Sequence, residues 1–253
     1  MSNGKRTRNV FDPGSDKPFK LSRTKLENFL KCPRCFYLDR RLGLKSLPQL
    51  PFTLNIAVDH LLKKEFDVYR AKGKPHPLMV EHGIKAVPFQ HPNLDIWREN
   101  FKGIQYHHQP TNLLLSGAVD DIWQTPDGQI IIVDYKATST EKEITLDDAW
   151  KGGYKRQMEI YQWLFRQNGF KVQKTGYFVY VNASKSRPTF DGHLHFDIHL
   201  LPHKGDDSWV ESTVVAAKAC LMSNLLPEPK AECEFCAYRK ESQRHERLIS
   251  KSL

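Results

Sequence analysis

The chain has 253 residues, 40% of them hydrophobic and 26% charged, an ordinary globular composition with enough length for a substantial core. No apolar run approaches the length that spans a bilayer, and the polar N-terminus lacks the apolar stretch of a signal peptide. The expectation is therefore an intracellular protein, cytoplasmic or nucleoid-associated, without a membrane partner. The formal net charge of +9 suits a polyanionic partner such as nucleic acid.

Residues 1–18 mix Gly, Pro, Ser and charge without period and read as a flexible tail. Ser22 is a candidate N-cap for a short helix carrying Leu26, Phe29 and Leu30 on one face and broken at Pro33. A proline-bearing connector, "SLPQLPF", follows. Leu54, Ala57, Val58, Leu61, Leu62, Phe66 and Tyr69 recur at helical spacing, and Gly73 closes that helix. "HPNLDIWRENFKG" reads as another short helix. "NLLLSGAVDDIWQT" and "QIIIVDYKA" flank Pro126-Asp127-Gly128 and read as two strands of a hairpin. Thr145 and Asp148 form a capping-box-like start to a long helix that ends near Asn168-Gly169. Two alternating strands, "KTGYFVYVNAS" and "GHLHFDIHLL", precede a last amphipathic helix, "DDSWVESTVVAAKACLMSN". There are no internal repeats. The order predicts an α/β fold with a helical N-terminal part, laid out as one domain over 19–240 with a C-terminal tail over 241–253.

The hairpin places charges where apolar residues belong. Two carboxylates at neighbouring strand ends are costly together unless a cation lies between them, and Mg²⁺ or Mn²⁺ prefers such oxygen ligands. Asp134 and Lys136 are two apart on a strand and so share a face. A lysine there can orient an attacking water and stabilise charge on a phosphate. The plain alternative is a surface ion pair on an edge strand.

Gly117-Ala118-Val119-Asp120, the turn, Ile131 to Lys136, and then Gln157 and Tyr161 together resemble the PD-(D/E)XK nuclease superfamily, particularly its RecB-like branch. The resemblance spans roughly residues 20–240, with its specificity concentrated between 115 and 161. It implies a restriction-endonuclease-like core, a mixed central sheet flanked by helices. It also implies a nuclease acting on DNA, single-stranded or with free ends, in DNA processing, repair or CRISPR- or phage-related metabolism. Carried over, Asp120 and Asp134 bind the divalent ion, Tyr135 offers its backbone carbonyl and Lys136 acts at the water. Gln157 and Tyr161, four apart on one helical face, stand near them. Asp121 ranks below Asp120, because that slot in the family often holds a basic or polar residue. The family also draws a His or Glu from an upstream helix. Here Asp59 occupies that slot beside His60, with Glu65, nearer the middle of the apolar face, as second choice. The competing class is a non-catalytic nucleic-acid-binding module.

Four of the five cysteines form two C-x-x-C pairs, Cys32/Cys35 and Cys233/Cys236, a spacing that lets two thiolates converge on one metal centre. Cys220, on an apolar helix, reads as core. Several RecB-like relatives, among them CRISPR-associated adaptation nucleases and AddAB-type nuclease domains, carry a [4Fe-4S] cluster on one N-terminal and three C-terminal cysteines. This chain has two and two, which leaves a rearranged cluster, a Zn²⁺ site or free thiols. His193, His195, Asp197 and His199 alternate on the last strand and read as a solvated face, with metal binding as the alternative.

Overall fold

The computed structural model describes residues 6–44, 52–148 and 151–250. Most of the proline-bearing connector and the ends of both expected tails lie outside the described residues. The chain divides into two compact units: Met1–Pro48 with His107–Leu114 and Glu211–Leu253, and Gln49–Tyr106 with Leu115–Val210.

The second unit is built on a mixed five-stranded sheet. In chain order its strands are β2 (Val87–Pro88), β5 (Asp121–Gln124), β6 (Ile130–Thr138), β7 (Thr175–Ala183) and β8 (Phe196–Lys204). They stand in the order β2-β5-β6-β7-β8, with β6 and β7 parallel and the other pairs antiparallel. The hairpin forms as its turn residues require: Gly128 takes φ +80° and Gln124 pairs with Ile130.

Residues of β6 alternate between two helices. Ile131, Val133 and Tyr135 join Leu62 and Phe66 of α3 (Thr53–Ala71) in one buried core with Trp123, Val179 and Val181. The even positions, Asp134 and Lys136, face α6 (Gly152–Gln167). The mixed α/β fold, a mixed sheet flanked by helices, is as expected.

Three local expectations change. "NLLLSGAVDDIWQT" is two strands, β4 (Leu113–Gly117) and β5, in different sheets; β4 lies between β1 (Phe19–Ser22) and β3 (Ile104–His108). The chain leaves the ladder between them because the Val119 amide donates to the Trp97 carbonyl at 3.1 Å. The helix expected from Thr145 begins at Gly152 instead. Thr145 closes a small turn by accepting from the Asp147 amide, and Lys151 holds that turn through the Thr145 carbonyl and Asp148. His193 and His195 precede β8, behind the positive-φ turn at Asp191-Gly192, so the four-residue row is not one strand face.

In the first unit, α1 (Arg23–Lys31) follows Ser22, and Pro33 both ends α1 and opens α2 (Pro33–Arg40). The stretch 6–18, read as tail from its composition, carries specific contacts. Phe11 is buried and its amide donates to the Arg40 carbonyl, and Arg6 pairs with Asp39. The boundary expected at 240 falls inside α8 (Glu234–Ile249), which follows α7 (Ser208–Met222). Among the described residues no helix is long and apolar enough to cross a membrane.

Candidate active site and cysteine metal site

β6 is the central strand, which removes the edge-strand reading of Asp134 and Lys136. Asp134 is fully buried, and an aliphatic strand carries a buried carboxylate only with partners. Lys136 pairs with one of its oxygens, and Gln157 Nε2 donates to the other at 2.6 Å. Gln157 also donates to the Tyr161 hydroxyl at 3.2 Å, so the two α6 residues and the β6 carboxylate form one chain of contacts. Tyr161 is buried, and its ring lies where a Cβ on residue 117 would come within 2.6 Å. Only glycine fits at the end of β4 for that reason.

Asp120 sits in the break before β5. Its Oδ2 accepts the Tyr135 amide at 2.9 Å and its Oδ1 lies 3.5 Å from Lys63 Nζ. Burial lowers the Lys136 pKa, but Asp134 and Asp120 together outweigh it and hold the ammonium above its ordinary range. The ammonium also lies 4.7 Å from the centre of the Tyr154 ring. Asn55, Asp59, Tyr135, Lys136 and Tyr154 line a cleft of about 120 Å³ at this end of β6.

The adjacent Asp121 has a different environment. It is fully buried and accepts from Arg70 at 2.5 Å, Arg98 at 2.8 Å, the Tyr135 hydroxyl at 2.7 Å and the Ile122 amide at 2.7 Å. Asp67 completes the network through both arginines. Oδ1 takes three of these bonds and Oδ2 the fourth, so both oxygens are engaged by the protein's own donors. The two neighbouring aspartates are therefore held differently: Asp121 ties α3, β5 and β6 together, while Asp120 meets the Tyr135 amide and Lys63.

On α3 the buried row is Leu62, Phe66 and Arg70, with Leu54 and Leu61 exposed. The inward face is thus turned away from the centre of the apolar pattern. Glu65, expected near the middle of that face, is 53% exposed and bonds His76 at 2.8 Å. Asp59 lies on the inward side, 2.8 Å from Lys63. Burial, and then the Asp120 charge, push the Asp59 carboxyl above its usual range. Lys63, Arg70, Arg98 and Tyr154 were not singled out from the sequence. The signal for the first was present in the alternating-charge ladder Asp59-Lys63-Asp67 at i, i+4.

The carboxylates of Asp59 and Asp120, both within reach of Lys63, and of Asp134 beside Lys136 are oxygen donors of the kind that fits a hard divalent ion such as Mg²⁺ or Mn²⁺. Such ions are typical of PD-(D/E)XK nucleases.

The cysteines form a second, separate group within the first unit. Cys32 and Cys233 are the N-caps of α2 and α8, and Cys35 and Cys236 follow three residues on. Each C-x-x-C pair therefore projects from one helical turn. All four sulfurs lie within 4.8 Å of one another, with Cys35–Cys236 at 3.4 Å, Cys35–Cys233 at 3.6 Å and Cys32–Cys236 at 3.8 Å. Burial raises the Cys32 thiol pKa, but the Cys35 and Lys230 amides and the neighbouring thiols outweigh it and bring it to about 7. Cys220 stands apart, half-buried, with its thiol pushed up to about 11 by burial. The group is a Cys₄ metal-binding set, with zinc or an iron–sulfur centre as its chemistry.

No curated protein matches the chain. A solved structure described as "Crystal structure of SSO0001" aligns with 89% of this chain and 86% of that one, at 15% identity and a TM-score of 0.34. The family model of the PD-(D/E)XK nuclease superfamily matches residues 55–240, a span that contains Asp59, Asp120, Asp134, Lys136, Gln157 and Tyr161. The chain belongs to the PD-(D/E)XK nuclease superfamily, whose members are usually metal-dependent nucleases.

Proposed function

We propose that the protein is a divalent-metal-dependent DNA nuclease of RecB-like type that hydrolyses phosphodiester bonds. The reading rests on one observation above all: the buried Asp134 carboxylate, midway along the central strand, is shared between Lys136 and Gln157. Asp120, Asp134 and the Tyr135 carbonyl would hold Mg²⁺ or Mn²⁺, with Asp59 as a further ligand. When bound, the ion supplies charge neutralisation at the phosphate and lowers the pKa of water.

Lys136 holds the attacking water and donates toward the developing charge on the scissile phosphate. Gln157 keeps the Asp134 carboxylate in one orientation, and the Tyr161 hydroxyl supports Gln157. The positive net charge favours the polyanionic substrate, and DNA that is single-stranded or has free ends is the substrate proposed. Processing or repair of DNA, including CRISPR- or phage-related metabolism, is the setting this chemistry suits.

The cysteine group we assign to one Zn²⁺ rather than a [4Fe-4S] cluster. Tetrahedral ligation at a Zn–S length of 2.3 Å puts the sulfurs about 3.8 Å apart. A cubane binds each thiolate to a different iron and spreads them to roughly 6 Å. Three sulfur pairs lie at 3.4–3.8 Å and all lie within 4.8 Å, nearer the single-ion spacing than the cubane's.

The test uses end-labelled and circular DNA with Mn²⁺ and with chelator. Wild-type protein degrades DNA only with metal, and Lys136→Ala lowers the rate about 10³-fold with an unchanged circular dichroism spectrum. Metal-dependent cleavage retained in that variant overturns the assignment. DNA binding without cleavage by the wild type would point to a non-catalytic module instead.

A further inference from the structure

One residue of the centre has no assignment in that mechanism. Lys63, one turn along α3 from Asp59, puts its ammonium 2.8 Å from Asp59 Oδ2 and 3.5 Å from Asp120 Oδ1. It is 19% exposed, which holds the contact away from bulk screening. The other cations nearby are committed elsewhere: Lys136 to Asp134, and Arg70 and Arg98 to Asp67 and Asp121. Among the described residues, Lys63 is the cation that bridges Asp59 to Asp120, a carboxylate proposed as metal ligand.

The charge arithmetic gives this position a consequence. Asp59, Asp120 and Asp134 carry three negative charges, and Lys63 and Lys136 carry two positive ones. The centre is therefore at −1 without metal, at +1 with one divalent ion, and neutral once a singly charged phosphodiester joins. Without Lys63 the same series runs −2, 0 and −1. The lysine thus transfers attraction from the metal ion to the phosphate.

We propose that Lys63 is the resident counter-cation of the centre. It holds Asp59 and Asp120 together before a divalent ion arrives, competes with that ion for their oxygens, and leaves the loaded centre cationic for the phosphodiester. It is a positioning residue, and the proposal rests on the nuclease reading of the same site.

The experiment is calorimetric titration of full-length protein with Mn²⁺ in the absence of DNA, counting only the heat that Asp120→Asn abolishes. Lys63→Met removes the charge at similar volume, and Lys63→Gln removes it while keeping hydrogen-bonding capacity. Both are expected to bind Mn²⁺ about tenfold more tightly than wild type, while Lys63→Arg binds as wild type does. Mn²⁺ should also raise the melting temperature of Lys63→Met and Lys63→Gln by more than it raises that of wild type. Equal or weaker binding by both charge-removing variants overturns the proposal and leaves the nuclease reading standing. Absence of Asp120-dependent binding in wild type and all variants overturns both.

Discussion

The two metal-competent regions are opposite solutions to one problem, the concentration of negative ligands. At the β6 cleft the protein supplies compensation itself. Lys136 and Gln157 hold Asp134, the Tyr135 amide and Lys63 hold Asp120, and Lys63 holds Asp59. Those contacts compensate the carboxylates from within the protein, so a divalent ion would enter a frame already built. The cysteine group has little such support. Its sulfurs lie against one another, and α8, which carries Cys236, has no buried residue. There a bound metal would be the cross-link, joining two helix N-termini about 200 residues apart in sequence.

The largest effect expected from breaking this contrast is therefore at the cysteines. Cys233→Ser should release the bound metal, cost about 5 kcal/mol of stability in the first unit and open the chain near 224–236 to protease. Limited proteolysis and bound-metal analysis read this directly. Asp120→Asn, by comparison, should leave the proteolytic pattern unchanged.

A second contrast lies within the cleft region, between adjacent aspartates. Asp121→Asn removes the buried one of the two carboxylates shared by Arg70 and Arg98, leaving Asp67, and should cost about 3 kcal/mol. Urea unfolding of Asp120→Asn and Asp121→Asn side by side checks this. Equal destabilisation by the two would contradict the separation of roles.

The smallest effect concerns pH and lies in the first unit. Burial raises the Asp39 pKa, but Lys25 at 2.9 Å and Arg40 at 2.8 Å together outweigh it and hold the carboxyl below its usual range. A carboxyl depressed on folding contributes stability that is fully present above its unfolded value near ~3.9. That contribution disappears as pH falls through the lower folded value. Thermal melts between pH 6 and pH 2 should show a loss of about 1 kcal/mol that is absent in Asp39→Asn.

Local signals recovered much of this molecule. The Pro126-Asp127-Gly128 turn, the strand that follows it and the helices at 23–31, 53–71 and 208–222 each follow from periodicity and turn chemistry over a few neighbouring residues. The shared face of Asp134 and Lys136 follows from strand parity alone. Both C-x-x-C pairs were legible because ligation by two thiolates requires that spacing. By contrast, the strand break at 118–120 depends on a hydrogen bond to Trp97, and the late start of α6 depends on Lys151 closing the turn before it.

The amino-acid sequence by itself determined which residues could do chemistry here: a D-x-K strand after a second acidic position, a Gln and Tyr four apart, and two thiol pairs. Only the tertiary structure decided how they are used. It turned α3 so that Asp59 and Lys63 face Asp120 while Glu65 faces His76, enclosed Asp121 with two arginines, and brought the thiol pairs to one point. The reason is that ligand identity and parity are properties of a short stretch of backbone. Which carboxylate stays available depends on the cations that distant elements deliver to it, and those are set by packing.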